Sequence, residues 1–278
     1  MTSDSDASEA VLVAAVQMTS GPEVAANLQT AGALLDEAAG RGARVALLPE
    51  NFSFMGRRDA DKRAIAEPDG SGPIQEFLRE RARTLKLWIV AGTTPISDVP
   101  GERPAAACLV YDDHGERRAR YDKMHLFDVA IPGREEKYRE SANIAPGTRL
   151  ELVPTPAGLL GLSVCYDMRF PEMYRPLSAA GAQWFTMPSA FTVPTGRAHW
   201  EVLLRARAVE NLAFVVAAAQ WGRHASGRET YGDSMIVDHW GTVLARASEG
   251  QGVIVAALDL AAQRTARQEF PALSHRVM

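Results

Sequence analysis

Three side chains in this sequence could together hydrolyse an acyl compound: Cys165, Glu50 and Lys123. A carboxylate can take a thiol proton, the thiolate can attack an acyl carbon, and an ammonium can stabilise the oxyanion that forms. Each residue stands at the C-terminal end of a predicted strand, the edge of an α/β sheet where ligands and catalytic groups gather. Cys165 ends an apolar run over 159–164 and is followed by Tyr166-Asp167-Met168-Arg169-Phe170-Pro171-Glu172. Pro171 suits the first turn of a helix, so the sulfur falls where strand becomes helix, beside N–H donors that favour negative charge. Taken singly, each residue also has a bland reading. Free cysteine is most often a small buried hydrophobe, and isolated Glu and Lys residues at strand ends are most often solvated charges.

The elements that must position these groups alternate along the chain. Residues 11–18 read as a buried strand; Val24, Leu28, Ala31, Leu35 and Ala38 then recur at helical spacing until Gly40 and Gly42 stop the helix. A strand over 44–50 follows, then a helix over 73–85 and strands near 87–93, 105–111 and 117–123. Residues 124–148 form an irregular charged stretch with Pro132-Gly133 and Pro146-Gly147, too long for a simple connector and therefore read as a functional loop. Strand 159–165, a helix from Pro171, strand 184–187, helix 198–211 and strand 213–220 restore the rhythm expected when helices cover sheet faces. Strands near 234–238, 242–247 and 252–259 close an α/β fold, and a terminal helix with an extended end follows from Leu260. Residues 1–10 read as a disordered tail, and no compositional break divides the single domain over 11–278.

Composition narrows the function classes. With 46% hydrophobic residues, 23% charged residues and a formal net charge of −4, the 278-residue chain has no basic field for a nucleic-acid backbone. The N-terminus lacks the basic residues that open a secretory signal, and no apolar stretch reaches spanning length without a charge, so no membrane association is expected. Two distant cysteines make no disulfide framework; a soluble protein of a reducing cytoplasm is the expectation. The six histidines show no paired ligand spacing and neither cysteine has a cysteine neighbour, so neither metal nor cofactor is expected.

The strings around the three residues are specific. Leu47-Leu48-Pro49-Glu50-Asn51, Tyr121-Asp122-Lys123-Met124-His125-Leu126-Phe127-Asp128 and the cysteine segment resemble the nitrilase superfamily of carbon–nitrogen hydrolases. Pro188-Ser189-Ala190-Phe191-Thr192, Ala198-His199-Trp200-Glu201, the run 204–211 and Tyr231-Gly232 are similar to its Nit branch, closer to the deaminated-glutathione amidase side than to the ω-amidase side. The resemblance implies a four-layer α-β-β-α sandwich, a metal-free Glu-Lys-Cys mechanism and homodimers whose protomers extend one another's layers. It implies Glu50 as general base, Cys165 as nucleophile, and Lys123 with the Tyr166 backbone N–H as oxyanion donors. A second glutamate that precedes a serine in the family's loop matches Glu140 in Tyr138-Arg139-Glu140-Ser141. The loop departs from the pattern at Ala130, where an acidic residue is common, and Glu135 and Glu136 compete with Glu140 for that role.

Other residues border the expected site. Arg169 could bind a substrate carboxylate through its planar fork or pair with Glu172. Phe191, Thr192, Thr195 and His199 are pocket candidates by resemblance, whereas Trp200 shares an apolar helix face with Leu203, Leu204 and Ala208 and reads as core. Cys108, inside an apolar segment, reads as an inert core thiol. The leading expectation is an amidase that cleaves a small carboxylate-bearing amide, deaminated glutathione, through a cysteinyl thioester. An ω-amidase on 2-oxoglutaramate, another amidase, an N-carbamoyl hydrolase, a nitrilase and a catalytically silent binding protein on the same fold are the alternatives. A papain-like protease is disfavoured because the cysteine segment has none of that family's pattern.

Overall fold

A computed structural model describes residues 10–133, 137–247 and 249–277. The expected N-terminal tail up to residue 9, and Glu135 and Glu136, lie outside the described residues. In chain order the first half contains β1 (Val11–Gln17), α1 (Val24–Gly40), β2 (Val45–Leu47), α2 (Pro73–Leu85), β3 (Trp88–Val90), β4 (Thr94–Ile96), β5 (Ala105–Tyr111), β6 (Arg117–Asp122), β7 (Asp128–Ala130) and β8 (Lys137–Arg139). The second half contains β9 (Leu152–Thr155), β10 (Gly158–Gly161), α3 (Pro171–Ala179), β11 (Trp184–Thr186), α4 (Val193–Asn211), β12 (Phe214–Ala217), β13 (Trp221–Arg223), β14 (Glu229–Tyr231), β15 (Met235–Val237), β16 (Val243–Arg246), β17 (Gly252–Leu258) and α5 (Leu260–Glu269).

Two sheets are built on the same plan. The first runs β17-β1-β2-β3-β5-β4, with β6 also paired to β5, and its central β1, β2 and β3 are parallel. The second runs β16-β15-β12-β11-β10-β9, and its central β10, β11 and β12 are parallel. In both, antiparallel strands flank the parallel trio. Side-chain alternation along β1 shows how the layers stack: Val13 and Ala15 join the apolar cluster shared with the second sheet, while Ala14 and Val16 join the one beneath α1 and α2. Helix α1 buries Ala31, Leu35 and Ala38, and α2 buries Ile74, Leu78 and Ala82. On the far side, Met173, Tyr174 and Leu177 of α3 and Trp200, Leu204 and Ala208 of α4 pack on the second sheet. The order of layers is helices, sheet, sheet, helices: the four-layer α-β-β-α sandwich.

Several elements differ from their sequence reading, each for a local reason. The strand expected over 44–50 ends at Leu47, because Pro49 has no N–H to continue a ladder, and Glu50 enters a turn in which Asn51 takes φ +59°. The strand expected over 159–165 ends at Gly161, and Cys165 instead opens a short 3-10 helix over Cys165–Arg169. Helix α4 starts at Val193 rather than at Ala198, because Thr192 caps it by accepting from the Thr195 N–H and Pro194 fits its first turn. The stretch 124–148 holds the β7–β8 hairpin and a 3-10 turn over Glu140–Ala142. Among the described residues no helix is long and apolar enough to cross a membrane.

Candidate active site

Glu50, Lys123, Glu140 and Cys165 meet in one cleft. Their supports come from both sheets. Glu50 follows β2, and its carbonyl accepts from Gln220 Nε2 at 3.0 Å, a group that also donates to Ser20 Oγ at 2.7 Å. Lys123 follows β6, where its N–H donates to the Ala106 carbonyl at 3.1 Å. Two glycines let neighbouring backbone press against these segments. A Cβ on Gly92, which has φ +46°, would sit 2.0 Å from the Pro49 carbonyl oxygen, and one on Gly147 would sit 1.9 Å from that of Asp122. Any side chain at either position would displace the residue preceding Glu50 or Lys123.

Cys165 is 6% exposed and holds φ +51°, a left-handed conformation that costs an ordinary residue roughly 1–2 kcal/mol. Asp167, fully buried, fastens this turn to the segment after β6. Its Oδ2 accepts from the Val164 N–H at 2.9 Å and from the Tyr121 hydroxyl at 2.7 Å. Its Oδ1 accepts from the His125 N–H at 3.0 Å and lies 2.7 Å from His125 Nδ1. The His125 ring stacks on Phe170 at 3.8 Å between centroids. One carboxylate thus ties the cysteine turn to the lysine segment, a role that the string alone did not disclose.

The centre of the site is a buried charge chain. Lys123 Nζ donates to Glu50 Oε1 at 2.8 Å and to Glu140 Oε1 and Oε2 at 3.0 and 2.8 Å. Glu140 Oε2 also accepts from the Phe127 N–H at 2.7 Å, and Glu50 Oε2 accepts from the Ala190 N–H at 2.9 Å. Burial pushes the Glu50 carboxyl up, but the Lys123 ammonium outweighs it and holds the group below its ordinary value. Burial acts to lower Lys123, yet Glu140 and Glu50 keep its ammonium well above the usual lysine range. Burial first, and then the Glu50 charge, push the Cys165 thiol up, with Lys123 and the Ala190 N–H opposing them. Lys123 Nζ thus lies between Glu50 and Glu140, and the Cys165 thiol is hydrogen-bonded to Glu50. A thiol and a fixed cation that both touch one carboxylate base can deprotonate, attack and stabilise charge without a metal. Among the described residues no cluster of three or more His, Cys, Asp or Glu is arranged to hold a metal ion.

The other candidate residues divide by position. Tyr166, Phe191 and Thr195 line the cleft. The Tyr166 N–H stands in the first turn of the 3-10 helix, where donors lack intrahelical acceptors. Arg169, Thr192 and His199 do not line it. Thr192 is buried as the cap of α4, and Arg169 Nη1 lies 3.3 Å from His199 Nδ1. The Arg169 guanidinium also sits over the Tyr166 and Phe191 rings, at 5.8 and 5.3 Å from their centroids, so it backs two lining aromatics from behind. Among the described residues it makes no ion pair with Glu172. The cleft also recruits residues that the sequence reading passed over: Asp59 and Lys62 from a 3-10 helix over Asp59–Ile65, Tyr138 from β8, and Arg228 from the β13–β14 turn. Arg228 lies 5.0 Å over the Tyr138 ring and donates through Nη2 to the Ala190 carbonyl.

Comparisons with known proteins give the family. Residues 12–268 match the carbon–nitrogen hydrolase family model. A deaminated glutathione amidase from Bos taurus is 45% identical over 280 residues, covering 99% of this chain and 85% of that protein. The crystal structure of the NitFhit protein of C. elegans superposes with a TM-score of 0.90 at 40% identity, covering 97% of this chain; the chain spans 66% of that longer protein. A mutant of an amidase from Nesterenkonia sp., solved with the acetamide moiety of fluoroacetamide added covalently at its active-site cysteine, superposes with a TM-score of 0.81 at 28% identity, covering 97% of this chain and 95% of that one. The chain belongs to the carbon–nitrogen hydrolases of the nitrilase superfamily.

Proposed function

We propose that this protein is a thiol-dependent amidase that hydrolyses deaminated glutathione to 2-oxoglutarate and cysteinylglycine. The observation that carries the chemistry is the position of Glu50, whose carboxylate touches both the Cys165 thiol and the Lys123 ammonium. The substrate is drawn from relatives such as the Bos taurus enzyme. Glu50 takes the thiol proton as Cys165 Sγ attacks the amide carbonyl, and Lys123 with the Tyr166 N–H holds the oxyanion. The tetrahedral intermediate collapses as Glu50 returns the proton to the leaving nitrogen, which leaves a thioester. Water, deprotonated by the same carboxylate, adds to the thioester carbonyl and expels the thiolate, which recovers a proton from Glu50. Glu140 orients Lys123 throughout. Arg169, behind Phe191 and Tyr166, supplies positive charge toward the α-keto carboxylate, with Thr195 on the same wall.

Two copies are proposed to associate and extend the sandwich; exposed Val202 and Val209 on α4 and the Trp240–Phe270 pair offer apolar surface for it. Both cysteines are free, in keeping with a cytoplasmic setting. The test is a direct comparison of kcat/KM for deaminated glutathione and 2-oxoglutaramate, following 2-oxoglutarate release. Preference for the peptide amide is expected, and a clear preference for the primary amide would overturn the substrate assignment.

A further inference from the structure

Resting on that amidase reading, we infer that Lys62 is a specificity-determining residue that receives the terminal carboxylate of the leaving peptide. Lys62 is half-buried in the cleft wall. Among the described residues it makes no hydrogen bond or ion pair. Its neighbour Asp61 is taken by Arg58, whose Nε and Nη2 donate to Asp61 Oδ1 at 3.0 and 2.8 Å, and no ion pair joins Lys62 to Asp59. An ammonium that gives up part of its hydration in a ligand cleft without a counter-ion suits an incoming anion.

Lys123 is saturated by Glu50 and Glu140, whereas Arg228 donates through Nη2 to the Ala190 carbonyl and lies over the Tyr138 ring but keeps a buried Nε without a partner among the described residues. Lys62 is also fixed in place relative to the reacting groups. Arg63, next to it on the 3-10 helix, donates through Nη2 to the Ala142 carbonyl at 2.9 Å, which ties that helix to the turn bearing Glu140. Its charge reaches far enough to help hold down the Glu50 carboxylate. Lys62 therefore stands in the cleft wall on the side of the turn that bears Glu140. An extended dipeptide spans about 7 Å, a length that carries its terminal carboxylate from the thiol toward the rim.

The test compares deaminated glutathione with its C-terminal carboxamide, which deletes that negative charge, in wild type, Lys62→Ala, Lys62→Arg and Lys62→Glu. Wild type is expected to favour the acid over the carboxamide in kcat/KM by roughly ten- to a hundred-fold, the range of a charge-assisted contact. The ratio should fall to near one in Lys62→Ala, survive largely in Lys62→Arg, invert in Lys62→Glu, and shrink with added salt in wild type. An unchanged ratio in Lys62→Ala overturns the inference while leaving the amidase reading intact. A wild type that hydrolyses neither compound overturns both.

Discussion

Cys108 and Cys165 belong to the same apolar cluster, at 0% and 6% exposure, and burial pushes both thiols up; they are nevertheless different chemical objects. Cys108 lies in the middle of β5, opposite Tyr121 on β6, in a ladder that gives it apolar neighbours. Cys165 opens a 3-10 helix at positive φ, in contact with the Glu50 carboxylate and the Ala190 N–H, and close to the Lys123 ammonium. Depth in the fold does not separate the two. What separates them is the edge where two sheets meet: β2 and β6 deliver a base and a cation from one sheet, and the turns after β10 and β11 deliver a sulfur and an N–H donor from the other.

The sharpest way to break this contrast is to exchange the expected outcomes of the two thiols. Cys165→Ala should lower kcat by about 10⁴-fold or more, with circular dichroism unchanged; residual turnover within ten-fold of wild type would remove Cys165 from the chemistry. Glu50→Gln should follow, at roughly 10²- to 10⁴-fold, because an amide there keeps the volume but cannot take the thiol proton. The same reasoning sets the pH profile. The Lys123 ammonium holds the Glu50 carboxyl below its ordinary value, so the base stays ionised and kcat/KM should stay level as the pH falls through the mildly acidic range. The thiol lies above its ordinary 9.0, so activity should not climb between pH 7 and 9 as it would if free thiolate formation limited the rate. A rise of one log unit per pH unit across that range would replace concerted base catalysis with a preformed thiolate.

Next in size is the alkylation contrast. Iodoacetamide should modify Cys165 in the native protein and leave Cys108 untouched until denaturation, and Glu50→Gln should slow the Cys165 reaction. Mass spectrometry of the two cysteine peptides measures it. Equal native labelling of both thiols would show that contact with the base confers no reactivity.

Much of this site was legible from residues alone because apolar runs mark strands and their ends mark where functional groups can stand. Thus 11–18, 73–85 and 105–111 fall where β1, α2 and β5 lie, and Lys123 directly follows its strand, whereas the strands before Glu50 and Cys165 end at Leu47 and Gly161 and leave those two groups in turns. Two kinds of feature escaped. Backbone contributions leave no side-chain signature: nothing in Ala190 announces an N–H shared by Glu50 and Cys165, and nothing in Gly92 or Gly147 announces the carbonyl each lies against. Residues delivered by distant pairings were equally hidden, since Lys62 and Arg228 enter the cleft from elements with little apolar periodicity. The start of α4 was different. Thr192-Val193-Pro194 is a capping residue followed by a first-turn proline, a signal that could have placed Thr192 as a cap rather than a pocket wall.

The smallest expected effect concerns the control thiol. Cys108→Ala removes one buried sulfur from a packed strand and leaves no polar group unpaired, so its cost is a small cavity, about 1–2 kcal/mol, read as a drop of a few degrees in Tm. Because the change lies within the ladder rather than at its end, Tyr121 should still reach Asp167, and kcat should stay within about two-fold of wild type. The informative failure is a large loss of kcat with little loss of stability. Cys108 faces Tyr121, Tyr121 donates to Asp167, and Asp167 holds the Cys165 turn; such a loss would mean that the inert thiol sets the reactive one through that chain, and that the two are not independent.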